Sequence, residues 1–303
     1  MLAWIESFLS DRTQRVAVKK LFNHVSIHTA ADDCAAIQRD LVRLEEWSDT
    51  WLLRFHPGKC HVLSLGEFMN TPCRAFNYVL CGQSLEHVFE ERDLGVIIDS
   101  GLTFVPHIDS KVNVANAFLG MIRRNFSFLD KDTLVRLYIA FVRPHLEYCH
   151  AVWSPSRVPL IRKLEAVQIR ALNLVPEFKG LSYDEQLRRT KLTTLSFRRL
   201  RGDMIDTWKH FNTYHRDVIS SSFQPSPRNP IRLTQTGGRS GFYHRVQELW
   251  NALPISVRQA NTVDTFKNRL DRHWFDLPLK YDYLAKPPIR IHQLRREPHK
   301  NSR

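Results

Sequence analysis

Several side chains in this sequence have types and spacings that can do chemistry. Asp32 and Asp33 form an adjacent carboxylate pair, hard oxygen donors of the kind that can hold a divalent cation. The same pair abuts Cys34-Ala35-Ala36-Ile37-Gln38, which reads as a helix start. Carboxylates there accept the free N–H groups of the first turn, and capping is the preferred reading. Lys59 follows Pro57-Gly58, a compact cation at the mouth of a turn. Arginines cluster at Arg123-Arg124, at Arg188-Arg189 with Lys191, and at Arg198-Arg199 with Arg201. Forked guanidinium groups suit phosphate oxygens. A solvated helix face is the competing reading, and Asp184, Glu185, Asp203 and Asp206 nearby speak for it. His145, Cys149 and His150 are metal-binding types within reach of one another. A fourth ligand is missing and Leu146, Val152 and Trp153 read as core, so no metal site is expected. Gly237-Gly238 lacks the lysine and strand context of a phosphate-cradling loop.

The charge balance bears on the partner. The chain has 303 residues with 44 Lys+Arg against 31 Asp+Glu, a net +13. Such an excess attracts phosphate-bearing polymers through Coulomb forces and counterion release. Five cysteines (Cys34, Cys60, Cys73, Cys81 and Cys149) are an odd count without a CxxC pair. That argues against a disulfide framework and for a reducing compartment. The opening segment has no basic n-region and carries Glu6 in its apolar stretch, a poor signal peptide. No apolar run is long enough to span a bilayer. The expectation is an intracellular protein, nuclear or cytoplasmic, with no membrane partner.

The elements that must position these groups follow from periodicity. Ile37, Leu41, Leu44, Trp47 and Trp51 share one face of a helix. Residues 41–66, LVRLEEWSDTWLLRFHPGKCHVLSLG, then predict two strands joined at Pro57-Gly58, the second over 60–65. Residues 78–84 predict a strand and turn around Gly82, and 94–98 a buried strand. Ile108, Val112, Ala115, Leu119 and Ile122 lie on one helix face. Asp130 caps the next helix, with Leu134, Leu137 and Phe141 buried and Pro144 kinking or ending it. Leu160, Ile161, Leu164, Val167, Ala171 and Leu174 mark a third helix, and 183–208 reads as a fourth amphipathic segment. Residues 223–229, with Pro225 and Pro227, read as a linker, and 237–241 as a loop. Residues 242–253 and 263–274 predict two short helices. The tail from 278 carries seven Lys/Arg against Asp282 and Glu297 and is expected to be disordered.

The residues carry a family resemblance. Residues 41–66, with ERDLGVIIDSGLTF (91–104), closely resemble the palm of reverse transcriptases from non-LTR retrotransposons of the jockey and chicken-repeat clades. WIESFLSDRTQRVAV (4–18) is similar to the segment leading into that family's SGVPQGS template loop. LYIAFVRPHLEYCHAVWSP (137–155) resembles its thumb signature, and LEAVQIRAL (164–172) continues it. RRLRGDMID (198–206), RVQELWNALP (245–254) and TFKNRLDRHW (265–274) are similar to segments beyond the thumb. The resemblance implies an α+β fold, a right-hand polymerase palm remnant of small sheet plus helix followed by a mostly helical thumb and C-terminal region. It implies five parts: a truncated fingers and palm remnant at 1–33, the rest of the palm at 34–105, the thumb and following helices at 106–222, a C-terminal helical region at 223–277, and the basic tail at 278–303. Lys59 matches a lysine held near the incoming nucleotide, and Leu94-Gly95 the primer-grip turn. Gly95 has a second reading, relief of crowding in a twisted strand.

The departures decide the mechanism. The family uses Mg²⁺ on aspartates, one of which would lie upstream of Met1. Val18 runs straight into Lys20-Leu21-Phe22 without the template loop. Phe22-Asn23-His24-Val25 stands where the FADD aspartate pair belongs. Asp32-Asp33 does not replace it, because the family's pair lies further upstream of Lys59 and on a hairpin. The expectation is therefore an RNA-directed DNA polymerase fragment, inactive alone, with no cofactor of its own and no metal ligands. Its partners would be RNA, DNA or their hybrid, bound without sequence preference through Lys59, Gly95, Arg123, Arg124, Arg188, Arg189, Arg198, Arg199 and Arg201. The alternative is a helical interaction or structural protein, or a non-functional decayed retroelement product.

Overall fold

In the computed structural model the described residues are 31–65, 76–212, 223–226, 229–235 and 242–287. The expectations for residues 1–30, including the Phe22–Val25 departure, lie outside them, as do the loop at 237–241 and the tail beyond 287. Among the described residues the chain is mostly helical, with four two-stranded pairings. It divides into two compact units between Ser110 and Lys111.

The first unit is a helix on short strands. Helix α1 spans Ala31–Trp51, so Asp32 and Asp33 fall in its first turn. Cys34 is buried with Tyr78, Leu80 and Leu85, and Ile37 and Leu41 pack against that cluster. Gln38 holds helix to strand in both directions: its amide nitrogen donates to Val79 O and its oxygen accepts from Val79 N, each at 2.8 Å. The apolar stripe does not stay covered. Trp51 is exposed, and Leu52 ends the helix with φ +56°.

The expected hairpin around Pro57-Gly58 does not form. Residues 52–56 make no strand, and Pro57–Lys59 is one 3-10 turn in which Lys59 N donates to His56 O at 2.9 Å. Strand β1, His61–Leu63, instead pairs in parallel with β4, Glu86–Val88, His61 opposite Glu86. The reason is local: a left-handed residue at Leu52 and a proline without an N–H leave no continuous ladder upstream. Between them β2 (Val79–Leu80) and β3 (Gln83–Ser84) form a tight hairpin. A second hairpin pairs β5 (Glu90–Asp93) with β6 (Val96–Asp99), with Val96 and Ile98 buried on one face.

Helix α2, Val105–Asn125, crosses the division, and its five predicted positions Ile108, Val112, Ala115, Leu119 and Ile122 are all buried. Asp130 caps α3, Lys131–Leu137, accepting from Asp132 N and Thr133 N at 2.9 Å. The next turn departs from expectation. Pro144 has no N–H to offer the preceding turn. The chain widens into a π turn over Tyr138–Val142, with Arg143 N bonded to Tyr138 O, before α4, Arg143–Glu147. The widening moves the inward face, so Leu134, Tyr138, Val142 and Leu146 are buried while Leu137 is half-buried and Phe141 exposed.

Helix α5 is His150–Trp153 and α6 is Val158–Leu172. The single segment expected over 183–208 is two helices, α7 (Tyr183–Thr190) and α8 (Leu195–Asn212), broken where Lys191 takes φ +57°. The expected linker is also corrected. Residues Phe223–Ser226 form β7, paired antiparallel with β8, Asn229–Gln235, with an irregularity at Pro225/Ser226. A two-stranded ribbon has an outward edge on each strand, which tolerates proline. Helices α9 (Phe242–Ala252), α10 (Ile255–Arg258) and α11 (Val263–His273) close the unit. Its core joins Trp208, Trp250, Phe266, Leu270 and Trp274. The tail expected to be disordered from 278 is ordered to residue 287. Leu279 is buried there, and Thr194 donates from its N–H to Lys280 O (3.0 Å) and from its hydroxyl to Leu279 O (2.5 Å).

Candidate functional site

In the first unit, Lys59 and Gly95 occupy two different turns. Lys59 is exposed at the end of its 3-10 turn. Leu94 and Gly95 are the two-residue loop between β5 and β6, with φ +45° and +83°. Both loop positions are left-handed, a backbone that matches the strand twist and that glycine adopts without steric cost. The crowding reading of Gly95 is thereby replaced. Leu94 is 83% exposed at the tip and holds a conformation that costs a leucine about 1 kcal/mol.

In the second unit the arginine clusters differ from one another. Arg123 and Arg124 close the last turn of α2, exposed, and neither has an ion-pair partner among the described residues. Arg188 and Arg189 are exposed on α7; Arg188 lies 3.7 Å from Asp184 and 3.9 Å from the centre of the Tyr281 ring. On α8 the guanidinium groups face carboxylates of their own unit. Arg198 forms a two-pronged pair with Glu147, its Nη2 3.0 Å from Oε2. Arg201 grips Asp271 at 2.6 and 2.8 Å. Arg199 is buried, and burial pulls its pKa down against the opposing pull of Glu165 and Asp203. A phosphate reaching this helix would have to displace those partners.

Behind α8 runs a buried polar chain that periodicity did not reveal. Glu165 accepts from the Tyr183 hydroxyl (2.8 Å) and Ser196 N (2.9 Å), while Gln168 bridges Tyr183 and Tyr138 at 2.7 Å each. Burial raises the pKa of Glu165 and pushes both tyrosines up. Asp203 accepts from Arg245 Nε and Nη2 at 2.7 and 3.1 Å. The signal was two polar residues, Glu165 and Gln168, one turn apart on the inward face of α6.

The metal-type residues have different surroundings. His145 stacks on Phe118 with ring centres 5.0 Å apart, Cys149 is an exposed left-handed residue, and His150 Nε2 stands 3.5 Å from Asp203. Among the described residues no three His, Cys, Asp or Glu side chains are grouped to hold a metal. The His150 ring lies against Gly202, where an added Cβ would sit 2.5 Å from Nε2 and 2.6 Å from Cε1. Gly202→Ala is expected to lose about 1–2 kcal/mol, overpacking outweighing the helix propensity gained. Urea unfolding of Gly202→Ala, His150→Ala and the double variant checks this: additive losses would show that the two residues do not collide.

The comparisons align with the resemblance. The chain is 28% identical over 188 residues to the RNA-directed DNA polymerase from mobile element jockey of Drosophila funebris, matching 55% of this chain and 20% of that polymerase. The chain is a distant homologue of a non-LTR retrotransposon reverse transcriptase. It is also 25% identical over 134 residues to an uncharacterised protein of Caenorhabditis elegans, covering 43% of this chain and 64% of that one. The chain thus spans a fifth of the jockey polymerase and under two thirds of the worm protein. No family model and no solved structure matches it. Among the described residues of this reverse-transcriptase relative, no helix is long and apolar enough to cross a membrane.

Proposed function

We propose that these 303 residues carry the later palm (34–105), the thumb and following helices (106–222) and the C-terminal helical region (223–277) of such a polymerase. On this reading they bind RNA, DNA or their hybrid without sequence preference, inside the cell, and do not polymerise by themselves. The observation that carries it is the homology to the jockey polymerase. The guanidinium groups of Arg123 and Arg124, exposed and without an ion-pair partner among the described residues, support it as phosphate contacts, while Lys59 and the Leu94-Gly95 turn are the palm contacts the resemblance implies. Arg198, Arg199 and Arg201 take a scaffold role, since their charge is answered within the unit. The donor set does not fit the family's Mg²⁺ chemistry: no carboxylates are grouped for it among the described residues, and Asn23 and His24 stand at the aspartate positions of the family pattern.

The test titrates a labelled RNA/DNA hybrid with the full chain across a salt series, and assays primer extension with Mg²⁺. Affinity falling steeply with log[salt] supports phosphate binding; flat or absent binding removes it. Extension of the primer would refute the inactivity. A second reading, a protein-binding scaffold, is favoured by one observation: the first unit leaves Trp51, Leu52, Leu53, Phe89 and Leu94 exposed.

A further inference from the structure

The corner between α2 and α3 combines two features found together at no other basic cluster described above. Arg123 and Arg124 are exposed without ion-pair partners among the described residues. Directly after them come two exposed aromatic rings, Phe126 at 40% and Phe128 at 72% exposure. A lone exposed phenylalanine needs no explanation, but two in a three-residue span beside two exposed cations do.

The loop that presents them is held at both ends. Phe126 N still donates to Ile122 O at 3.1 Å, continuing α2, and Asn125 ties its side-chain amide to Met121 O at 2.8 Å. Leu129, 4% exposed, pins the far side into the core, and Asp130 caps α3. Side-chain hydrogen bonding to Thr133, joined by the backbone N–H groups, holds the Asp130 carboxyl below its usual range, so this carboxylate is committed to the cap. The two rings therefore project from a fixed loop, with little ordering entropy left to lose on contact.

We propose that this corner is a binding site for an unpaired nucleic-acid strand, in which Phe126 and Phe128 stack bases and Arg123 and Arg124 hold the adjoining phosphates. Single strands expose both a π-face and a backbone charge, the two things this corner offers. A duplex hides its base faces and would use the arginines alone. The inference rests on the nucleic-acid reading above and narrows it to one place and one strand state.

The experiment uses the full chain with two labelled probes, a polyuridine oligonucleotide and an RNA/DNA hybrid, each titrated at several salt concentrations. Phe126→Ala/Phe128→Ala is expected to weaken polyuridine binding by about tenfold or more while leaving its salt slope and the hybrid affinity unchanged. Arg123→Ala/Arg124→Ala is expected to flatten the polyuridine slope by about 1.4. Phe126→Leu/Phe128→Leu keeps the apolar surface and must still lose affinity, which separates stacking from greasiness; a cooperative thermal transition shows each variant is folded. Salt-dependent binding that ignores both phenylalanine variants overturns the inference and leaves the general reading standing. Absence of salt-dependent binding to either probe removes both. Loss of self-association with unchanged polyuridine affinity identifies a protein-contact corner and overturns the inference as well.

Discussion

Arg245→Ala is expected to destabilise the second unit by about 3–5 kcal/mol, because it breaks an ion pair whose acidic partner is buried. The charge at stake belongs to Asp203, which is 1% exposed on α8. Arg245 reaches it from α9 with two prongs and also donates to Ala151 O on α5 at 3.2 Å, so one guanidinium fastens three helices. Removing it strands a carboxylate whose other neighbours are a histidine at 3.5 Å and the buried Arg199. The pair as a whole is worth much less than its rupture, because both charges were desolvated to make it. Asp203→Leu/Arg245→Met should therefore lose less stability than Arg245→Ala. Urea unfolding of the three proteins decides the matter. A loss under about 1 kcal/mol for Arg245→Ala, the range of surface pairs, would show that water reaches Asp203.

That pair also shows where sequence reading stops. The arginine types on α8 were legible, and so was their helix; their partners were not. Glu147, Asp271 and Arg245 lie 51, 70 and 42 residues from the α8 residues they bind. Composition cannot tell a guanidinium held by a distant carboxylate from one waiting for a phosphate. Periodicity succeeded where one face decides the outcome: the α2 stripe is buried at every predicted position. It failed where a backbone irregularity shifts the phase. The π turn before Pro144 exchanges Phe141 for Val142 as the inward residue, although Pro144 itself was read correctly as a disturbance. At the Leu94-Gly95 turn the expected strand begins two residues later, because the pairing of Asp93 with Val96 leaves both as loop. Phe126 and Phe128 lie between two helices and share neither one's periodicity, so only the fold shows that both are exposed.

A stop codon after Leu277 is the second large effect. A disordered tail would be removed at no cost, whereas the structure predicts a loss on the order of 4 kcal/mol. About 2 kcal/mol comes from Leu279, 5% exposed within the tryptophan-rich core. The rest comes from Thr194, which is fully buried at the start of α8 and gives both its donors to this segment. Without Lys280 O and Leu279 O, Thr194 loses two hydrogen bonds that water at the opened site replaces only in part, at about 1 kcal/mol each. Tyr281 also leaves, freeing the Arg188 guanidinium that lies 3.9 Å from its ring centre. A stop after Pro287 retains every one of these contacts and should unfold at a clearly higher midpoint than the stop after Leu277. Thermal unfolding of the two truncations separates them: equal midpoints would mean that residues 278–287 rest on the unit without supporting it. A gap between them would show that the basic charge of this segment lies on chain the fold needs, with Lys280 bound to Phe275 O at 3.1 Å as part of the structure.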